Sequence, residues 1–351
     1  MGLAMKTMKI AVLTKPGRFE IRDAGVPRIE NDDDVLLRVA MVGICGSDLH
    51  YFSSPRVGDL DVRYPVRIGH ECVAVVEAAG PSVTRVKLGD MVSVEPAVSC
   101  GTCDQCLAGR HNTCRNLKFL GSPGQLKGAL AEFLVMPERN CCPLPGNMSL
   151  ARGVIAEPLS IGLWAVEQAG EIKGRSMAIL GSGPIGLSTA LGARLKGARR
   201  IFMTEKIEAR IAASKKAGAD WTGNPLRGDV VAEIKRREPM GLDVVFECCG
   251  QQEASDQAVS LLKPGGTLVF VGIPLEERIT FEISKLRRKE IRIQNVRRQN
   301  HCLGRAIDLI ASGTLDVDFL ATHTFSLGRV QEAFETLFNY RDGVIKALLS
   351  I

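Results

Sequence analysis

The chain has 351 residues, 45% of them hydrophobic and 24% charged, which fits about two domains of ordinary globular composition. Its formal net charge is +6, and the basic residues are dispersed apart from residues 287–289 and 297–298, which argues against a nucleic-acid partner. No apolar run reaches the ~20 residues of a membrane helix, and residues 1–6 lack the apolar core of a signal peptide. The cysteines show no disulfide framework, so we expect a cytoplasmic protein without a membrane partner.

The N-terminal part of the chain is predicted to form short strands separated by turns. Strands are predicted at residues 8–13, 35–40, 71–79, 90–94 and 128–135. Short strands at this spacing are typical of a β-rich, barrel-like domain.

Two short motifs in this part carry residues that bind zinc. Residues 43–50 (GICGSDLH) are followed some twenty residues later by residues 68–71 (IGHE). Cysteine, histidine and glutamate are zinc ligands, and two of the chain's five histidines lie in these motifs. Asp48 is a candidate acceptor for the second N–H of His70, as around many metal sites. A lone cysteine or histidine is more often a core residue, so only the two motifs together indicate a metal.

Four cysteines lie within the 15 residues 100–114, at gaps of three, three and eight. They are Cys100, Cys103, Cys106 and Cys114. Four thiolates at tetrahedral corners form a closed structural zinc site. Disulfides are disfavoured because nothing indicates an oxidising compartment, and chance is disfavoured because the chain has only 11 cysteines. We therefore predict a structural zinc lobe at residues 98–116.

Glu157 precedes a proline in the apolar stretch 156–162 (AEPLSIG). In this apolar context Glu157 is predicted to stand at the start of a helix. A carboxylate there is favoured by the helix dipole alone. A metal or proton role for Glu157 is the alternative, supported by the zinc-binding motifs earlier in the chain.

The second domain begins with a dinucleotide-binding pattern. A strand at 177–180 is followed by GSGPIG at 181–186, a helix at 187–196 and a strand at 200–204 that ends at Glu205. The acid lies 19 residues after the last glycine, the spacing of a dinucleotide-binding fingerprint. The glycines allow a tight turn against a pyrophosphate, and the helix N-terminus attracts its charge. Glu205 would accept hydrogen bonds from the ribose hydroxyls.

Strands and helices continue to alternate, which predicts a doubly wound parallel sheet. The further predicted strands are 242–247, 267–272 and 291–296, and the helices are 209–217, 229–237 and 252–262. Helices at 306–311 and 330–339 precede a strand at 344–349 that could return to the first domain. The adjacent Cys248 and Cys249 are expected to pack rather than to form a redox pair.

Taken together, these motifs resemble the zinc-containing medium-chain alcohol dehydrogenases, and within them the sorbitol and other polyol dehydrogenases. The resemblance extends over residues 8–351, and its polyol character rests on residues 50–52 (HYF) and 157–159 (EPL). It implies an α/β fold with a GroES-like, β-rich catalytic domain at 1–158 and 295–351. A Rossmann domain with a doubly wound parallel sheet is implied at 159–294, with the active site in the cleft between the two.

The resemblance also implies roles for individual residues. Cys45 and His70 would bind a catalytic zinc, with Glu71 as a ligand and Glu157 holding the zinc-bound water, or in exchanged roles. Ser47 and His50 match a proton relay to solvent. The predicted cofactor-binding residues are Gly181, Gly183, Pro184, Ile185, Gly186, Glu205, Arg210, Val271, Ile273 and Arg297.

The expected reaction is hydride transfer from a secondary alcohol of a polyol or sugar acid to NAD, with two zinc ions per chain. Glu205 would repel the 2′-phosphate of NADP, although Lys206 and Arg210 could bind that phosphate from the side. A homotetramer or homodimer is expected through the Rossmann sheet, near residues 267–272. The alternatives are a threonine or glutathione-dependent formaldehyde dehydrogenase, a catalytically silent nucleotide-binding relative, and a nucleic-acid zinc ribbon.

Arg297 and Arg298 are the predicted substrate residues. Sorbitol dehydrogenases have an arginine followed by a tyrosine at these positions, so Arg298 replaces the tyrosine. In one interpretation Arg298 points to solvent or pairs with a carboxylate such as Glu157. In the other it faces the cleft and binds the carboxylate of an aldonic acid through two charge-assisted hydrogen bonds.

Overall fold

The computed structural model describes residues 7–58, 60–274 and 278–351. The prediction that residues 1–6 do not form a signal peptide concerns residues outside these ranges. The chain divides into two compact units, unit 1 with Met1–Glu157 and Leu303–Ile351, and unit 2 with Pro158–Cys302. The observed second boundary lies between residues 302 and 303, eight residues after the predicted boundary between 294 and 295. Val296 donates its N–H to Phe270 O, and the Cys302 thiol lies 4.0 Å from Glu167 Oε2. These contacts keep residues 295–302 with unit 2.

Unit 1 is rich in short strands. Its first segment contains β1 (Thr7–Lys15), β2 (Arg18–Gly25), β3 (Asp34–Gly43), α1 (Gly46–Ser53), β4 (Arg56–Val57), β5 (Leu60–Asp61), β6 (Glu71–Ala79), β7 (Met91–Val94), β8 (Ala97–Val98), α2 (Asp104–Leu107), β9 (Lys118–Phe119), β10 (Phe133–Pro137), β11 (Cys141–Pro143) and the first part of α3 (Leu150–Gln168). None of the helices in the described ranges is long and apolar enough to cross a membrane.

Unit 2 follows from within α3 and alternates strands with helices. Its elements are β12 (Ser176–Leu180), α4 (Pro184–Leu195), β13 (Arg200–Thr204), α5 (Glu208–Lys216), β14 (Trp221–Gly223), α6 (Val230–Arg237), β15 (Leu242–Glu247), α7 (Gln252–Leu261), β16 (Leu262–Phe270), α8 (Ile283–Lys289) and β17 (Arg292–Asn295). The chain then returns to unit 1 with α9 (Leu303–Ala311), β18 (Ala321–Ser326), α10 (Val330–Phe338) and β19 (Lys346–Ser350).

The main sheet of unit 1 joins both segments of that unit. Its strand order is β11-β7-β6-β3-β19-β18, and β10 also pairs with β3. Strand β19 pairs antiparallel with β3, so that Leu348 lies opposite Gly43. The core beneath it includes Leu37, Phe334 and Leu349, all fully buried. The predicted return of the last strand to the first domain is therefore confirmed.

Unit 2 is the predicted doubly wound parallel sheet. Its strand order is β14-β13-β12-β15-β16-β17, and every pair is parallel. Strand order therefore reverses between β12 and β15, where such sheets bind ligands outside the carboxyl ends of their strands. Burial drives this arrangement, since all five residues of β12 are buried.

Two predicted boundaries are wrong. Glu157 does not begin a helix, because α3 begins at Leu150 and contains Pro158 inside it. A proline inside a helix forfeits one backbone hydrogen bond, but burial of Val154 and Leu159, both 0% exposed, outweighs that cost. Similarly, the strand predicted at 128–135 begins only at Phe133, since Gly128 donates its N–H to Arg67 O outside any strand.

Candidate functional site

One compact group of metal-binding side chains lies in unit 1. Cys45 is the N-cap of α1, and Glu71 is the first residue of β6, with His70 immediately before it. Ligand atoms of these three residues all lie within 4.8 Å of one another. The turn into a helix and the start of a strand thus bring together two motifs that are separate in sequence.

Asp48 fixes the positions of two members of this group. Its Oδ2 accepts the N–H of Cys45 at 3.0 Å, and its Oδ1 accepts the N–H of Gly69 at 3.2 Å. The same Oδ1 lies 3.6 Å from His70 Nδ1, the neighbour expected from the sequence. Burial favours the neutral ring, yet the charges of Asp48 and Cys45 hold the pKa of His70 well above its usual value.

Lys346 forms a buried ion pair with Glu71. The Lys346 side chain is 2% exposed, and its Nζ lies 2.6 and 2.7 Å from the two carboxylate oxygens of Glu71. It also donates to Ile44 O at 3.0 Å. Burial lowers the pKa of Lys346, but Glu71 and Cys45 outweigh it and the net pKa is raised. A side chain on Gly43 would overlap the Glu71 carboxylate, so glycine there makes room for it.

Glu157 lies outside the compact group among the residues that the structure describes. It is 5% exposed in the middle of α3. Burial and the neighbouring charge of Glu71 raise the pKa of Glu157 to about 8, against the opposing effects of His70 and Lys346. A carboxyl group that is buried beside another carboxylate is suited to a site where a cation adds positive charge.

The two predicted relay residues lie on α1, next to the metal-binding group in sequence. Ser47 is in the first turn and His50 in the second, and both are half-buried. Burial lowers the pKa of His50, so its neutral ring is available to accept a proton.

The four clustered cysteines bring their sulfurs together at unit 1's α2. The Sγ–Sγ distances are 3.5 Å for Cys114–Cys100, 3.6 Å for Cys103–Cys106, 3.9 Å for Cys103–Cys114 and 4.0 Å for Cys100–Cys106. Tetrahedral zinc with bonds of about 2.3 Å to sulfur requires sulfurs about 3.8 Å apart. The donor set therefore fits zinc, and all 11 cysteines of the chain are free of disulfides.

Thiolate formation in this lobe is assisted by the backbone. The N–H groups of Thr102 and Cys103 lower the pKa of Cys100 to about 5. Burial and neighbouring thiols instead raise the pKa of Cys106 to about 11. A doubly charged cation would favour the thiolate form of all four cysteines.

The dinucleotide fingerprint has the predicted local geometry in unit 2. Gly181 follows β12 with φ of +99°, and Gly183 caps α4 with Pro184 in its first turn. A side chain on Gly186 would overlap Gly181 O, so the turn requires glycine there. Glu205 accepts the N–H of Ser182 at 2.9 Å through Oε2. Its Oε1 accepts the N–H groups of the two following residues at 2.7 and 3.1 Å.

The remaining predicted cofactor and substrate residues also lie in unit 2. Arg210 Nη1 lies 3.8 Å from the position of a Cβ on Gly183, so its guanidinium reaches the glycine-rich turn. Val271 follows β16, and Ile273 two residues later is 54% exposed. Arg297 and Arg298 follow β17, and Arg298 has φ of +54°. A left-handed conformation at a residue other than glycine carries strain that is typical of functional segments.

Two neighbours of the metal-binding group were not predicted. Lys346 is the only charged residue in the apolar run 344–349, and that exception was the available signal. Phe119 in β9 lies with its ring centroid 5.1 Å from that of His70. Its sequence position, shortly after the cysteine lobe, carries no comparable signal.

Family models match both parts of the chain. The model of the alcohol dehydrogenase GroES-like domain matches residues 31–146, and that of the zinc-binding dehydrogenase matches residues 184–312. The first match includes both groups of metal-binding residues, and Glu157 lies between the two matches. The second includes Gly186, Glu205 and the strands that follow.

Three similar proteins match between 86% and 99% of this chain. Sorbitol dehydrogenase of Bacillus subtilis (strain 168) is 34% identical over 345 residues, covering 98% of this chain and 97% of that protein. L-idonate 5-dehydrogenase of Vitis vinifera is 38% identical over 310 residues, covering 86% and 84%. The solved structure of a proposed zinc-binding dehydrogenase from Sinorhizobium meliloti 1021, bound to NADP, has a TM-score of 0.90 and 32% identity, covering 99% and 100%.

Proposed function

The chain belongs to the zinc-containing medium-chain alcohol dehydrogenases, related to polyol dehydrogenases, and we propose that it oxidises a secondary alcohol of a polyol or sugar acid with NAD. Zinc-dependent alcohol oxidoreduction follows from the family, and the GroES-like and Rossmann parts agree with it. The observation that carries the proposal is the compact group of Cys45, His70 and Glu71. Two zinc ions per chain, one here and one in the cysteine lobe, are part of it.

We propose Glu71 as the third protein ligand of the catalytic zinc. Its carboxylate belongs to the compact group, whereas Glu157 does not. The ion pair with Lys346 does not preclude this role, because a carboxylate has about four lone-pair sites. Glu157, with its raised pKa, is the group that would hold or release a proton beside the site.

The chain's own residues supply orientation and proton transfer. Bound zinc supplies a Lewis acid that lowers the pKa of an alcohol toward neutrality. Asp48 holds the His70 ring and the Cys45 backbone in place. Ser47 would accept the alcohol proton and pass it to His50, whose neutral ring accepts it. Gly181, Gly183 and Glu205 would hold the dinucleotide, whose nicotinamide would supply the hydride acceptor.

The first test is whether NADH absorbance appears when the protein is mixed with NAD and a panel of alcohols. Polyols or their acids should give NADH, whereas threonine and the glutathione adduct of formaldehyde should not. Absence of NADH with every substrate would contradict the proposal and favour a catalytically silent relative.

We expect NAD to be preferred over NADP. The Glu205 carboxylate is fixed by three backbone N–H groups, and a fixed negative charge repels a 2′-phosphate while accepting from a 2′-hydroxyl. Glu205→Ser should therefore raise the NADP-to-NAD ratio of kcat/KM by about tenfold or more. Glu208→Ser, an exposed carboxylate in the first turn of α5, should leave the ratio unchanged. Wild-type kinetics that favour NADP, the cofactor bound to the S. meliloti relative, would contradict this.

We propose an aldonic acid as the preferred substrate, with Arg298 binding its carboxylate. The strained φ of Arg298 and the 38% identity to an L-idonate 5-dehydrogenase support this. A buried guanidinium–carboxylate pair supplies ~1.5–3 kcal/mol, or roughly ten- to hundredfold in selectivity. Specificity constants for L-idonate and L-galactonate should exceed those for sorbitol, xylitol and galactitol. Arg298→Tyr should lower the acid-to-polyol ratio by that factor.

The control for this experiment is Arg292→Tyr, since Arg292 is an exposed arginine on β17 of the same unit. Preference of the wild type for neutral polyols would contradict the acid substrate. So would an acid-to-polyol ratio that Arg298→Tyr leaves unchanged.

We further propose a homodimer or homotetramer in the cytoplasm, without nucleic-acid or membrane partners. The outer strand of the unit 2 sheet is β17, so β16, which contains residues 267–270, lies one strand inside the edge. Ile293 on β17 is 40% exposed. The exposed edge of β17 supports association through this sheet.

A further inference from the structure

Glu247 is a fully buried carboxylate outside the residues considered so far. It is the last residue of β15, and it is 0% exposed. Strand β15 lies beside β12, whose carboxyl end continues into the glycine-rich turn at Gly181. Glu247 therefore lies at the edge of the sheet where parallel α/β folds bind their ligands.

The carboxylate and backbone of Glu247 connect two loops. Its Oε1 accepts the N–H of Cys249 at 2.9 Å, the N–H of Gly250 at 2.7 Å and the Cys249 thiol at 3.0 Å. Its backbone carbonyl accepts the N–H of Val271 at 2.8 Å and of Gly272 at 2.9 Å. One residue thus holds the turn after β15 and the turn after β16.

These two turns pack backbone against backbone. Gly250 has φ of +70°, and a side chain there would overlap Ile273 O. A Cβ on Gly272 would lie 2.6 Å from Glu247 Oε2 and 2.5 Å from Gly250 N. A Cβ on Gly181 would lie 3.0 Å from the Cys249 Cβ. The glycine-rich turn and the turns after β15 and β16 therefore form one contiguous surface.

The second carboxylate oxygen is costly to the fold. Glu247 Oε2 is buried and accepts no hydrogen bond from any group in the described ranges of the chain. Burying a polar atom without a partner costs free energy, and a native protein that retains such an atom needs a reason for it. A purely structural link between two turns would not require a charged group with one unsatisfied oxygen.

We propose that Glu247 is a positioning residue for the dinucleotide cofactor. Its charge strengthens the hydrogen bonds to Cys249 and Gly250, and its carbonyl holds Val271. The backbone at 249–250 and 271–273 is thereby held against the glycine-rich turn before the cofactor arrives. The inference rests on dinucleotide binding in the proposed function, and it is independent of the substrate and of the choice between NAD and NADP.

The test is a fluorescence titration of full-length, zinc-loaded protein with NADH and with NADPH, without substrate. Glu247→Ala should raise the Kd of the tighter nucleotide by about tenfold or more. Glu247→Gln should raise it by about threefold, because a neutral acceptor keeps the two N–H bonds but loses the charge that strengthens them. If Glu247→Ala does not fold, Glu247→Gln alone decides the outcome.

Asp243→Asn is the matched control, because Asp243 lies at the opposite end of the same strand. Its carboxylate also accepts a backbone N–H, from Ser176 at 2.9 Å, and pairs with Lys263. We expect Asp243→Asn to lower the melting temperature while the nucleotide Kd stays within about twofold of wild type. A loss of affinity in this control as large as in the Glu247 variants would show a general structural effect and overturn the proposal.

Steady-state kinetics provide a second readout, because a general structural defect would change the kinetic parameters for the cofactor and for the alcohol together. The Glu247 variants should raise KM for the cofactor while kcat and KM for the alcohol stay near wild type. Unchanged nucleotide affinity in both Glu247 variants would overturn the positioning role and leave the proposed function intact. Failure of the wild type to bind either nucleotide would overturn both.

Discussion

Cys45→Ser is expected to retain one zinc ion per chain, to fold normally and to lose turnover, while Cys103→Ser is expected to retain one zinc ion and to lose stability. The two cysteines belong to separate groups, one with His70 and Glu71 and one with three other cysteines. A Lewis acid supplies several kcal/mol to the reaction, and about 4 kcal/mol corresponds to about 10³-fold in kcat. We therefore expect a loss of at least that size in Cys45→Ser.

The opposite result is expected for Cys103→Ser because structural zinc contributes folding free energy. With the metal absent, sulfurs 3.6 and 3.9 Å from Cys103 Sγ lose the cation that holds them together. The melting temperature should fall by at least about 5 °C, and limited proteolysis should cut within residues 98–116. Specific activity per folded molecule should remain close to wild type.

Zinc analysis by mass spectrometry, thermal unfolding and turnover together check this pair of variants. Cys142→Ser is the control, because Cys142 is a half-buried cysteine outside both groups. It should retain two zinc ions and full turnover. A wild type with one zinc ion or none would contradict the two-site assignment, and loss of activity alone in both variants would contradict the structural role of the lobe.

The local features of this fold could be predicted from the sequence. The strands at 177–180, 200–204 and 242–247 agree with β12, β13 and β15 within one residue, because buried parallel strands are short apolar runs. The glycine-rich turn and the cysteine spacing are likewise local, since each imposes its geometry over a few residues. Cys45 and His70 could be named from their two motifs taken together, whereas the choice between Glu71 and Glu157 as the third ligand stayed open at the level of sequence.

The features that could not be predicted depend on tertiary contacts. Glu71 and Lys346 are 275 residues apart in sequence, and neither carries a local pattern that names the other. Glu157 is predicted at the start of a helix, but burial of α3 on both sides of Pro158 places Glu157 inside the helix. The role of Glu247 depends on two turns that meet only when β15 and β16 pair.

Lys346→Met is expected to destabilise unit 1 strongly. Removing one partner of a buried ion pair leaves the other charge uncompensated, at a cost of about 3–5 kcal/mol. The Lys346 and Glu71 side chains are 2% and 1% exposed, so water cannot replace the lost partner. Methionine retains most of the side-chain volume, and the effect therefore reports the charge rather than a cavity. Urea unfolding of zinc-depleted protein would measure it, because zinc bound to Glu71 would itself compensate the carboxylate charge.

The double variant Lys346→Met with Glu71→Gln separates the ion pair from packing. Because the carboxylate charge is removed as well, the double variant should regain a substantial part of the lost stability, and a double-mutant cycle gives the coupling. Lys285→Met is the control, since Lys285 pairs with Glu282 at side-chain exposures of 54% and 67%. Exposed pairs contribute about 0–1 kcal/mol, so this variant should unfold close to wild type. Equal stability of the zinc-depleted Lys346→Met variant and the zinc-depleted wild type would contradict a stabilising Lys346–Glu71 ion pair.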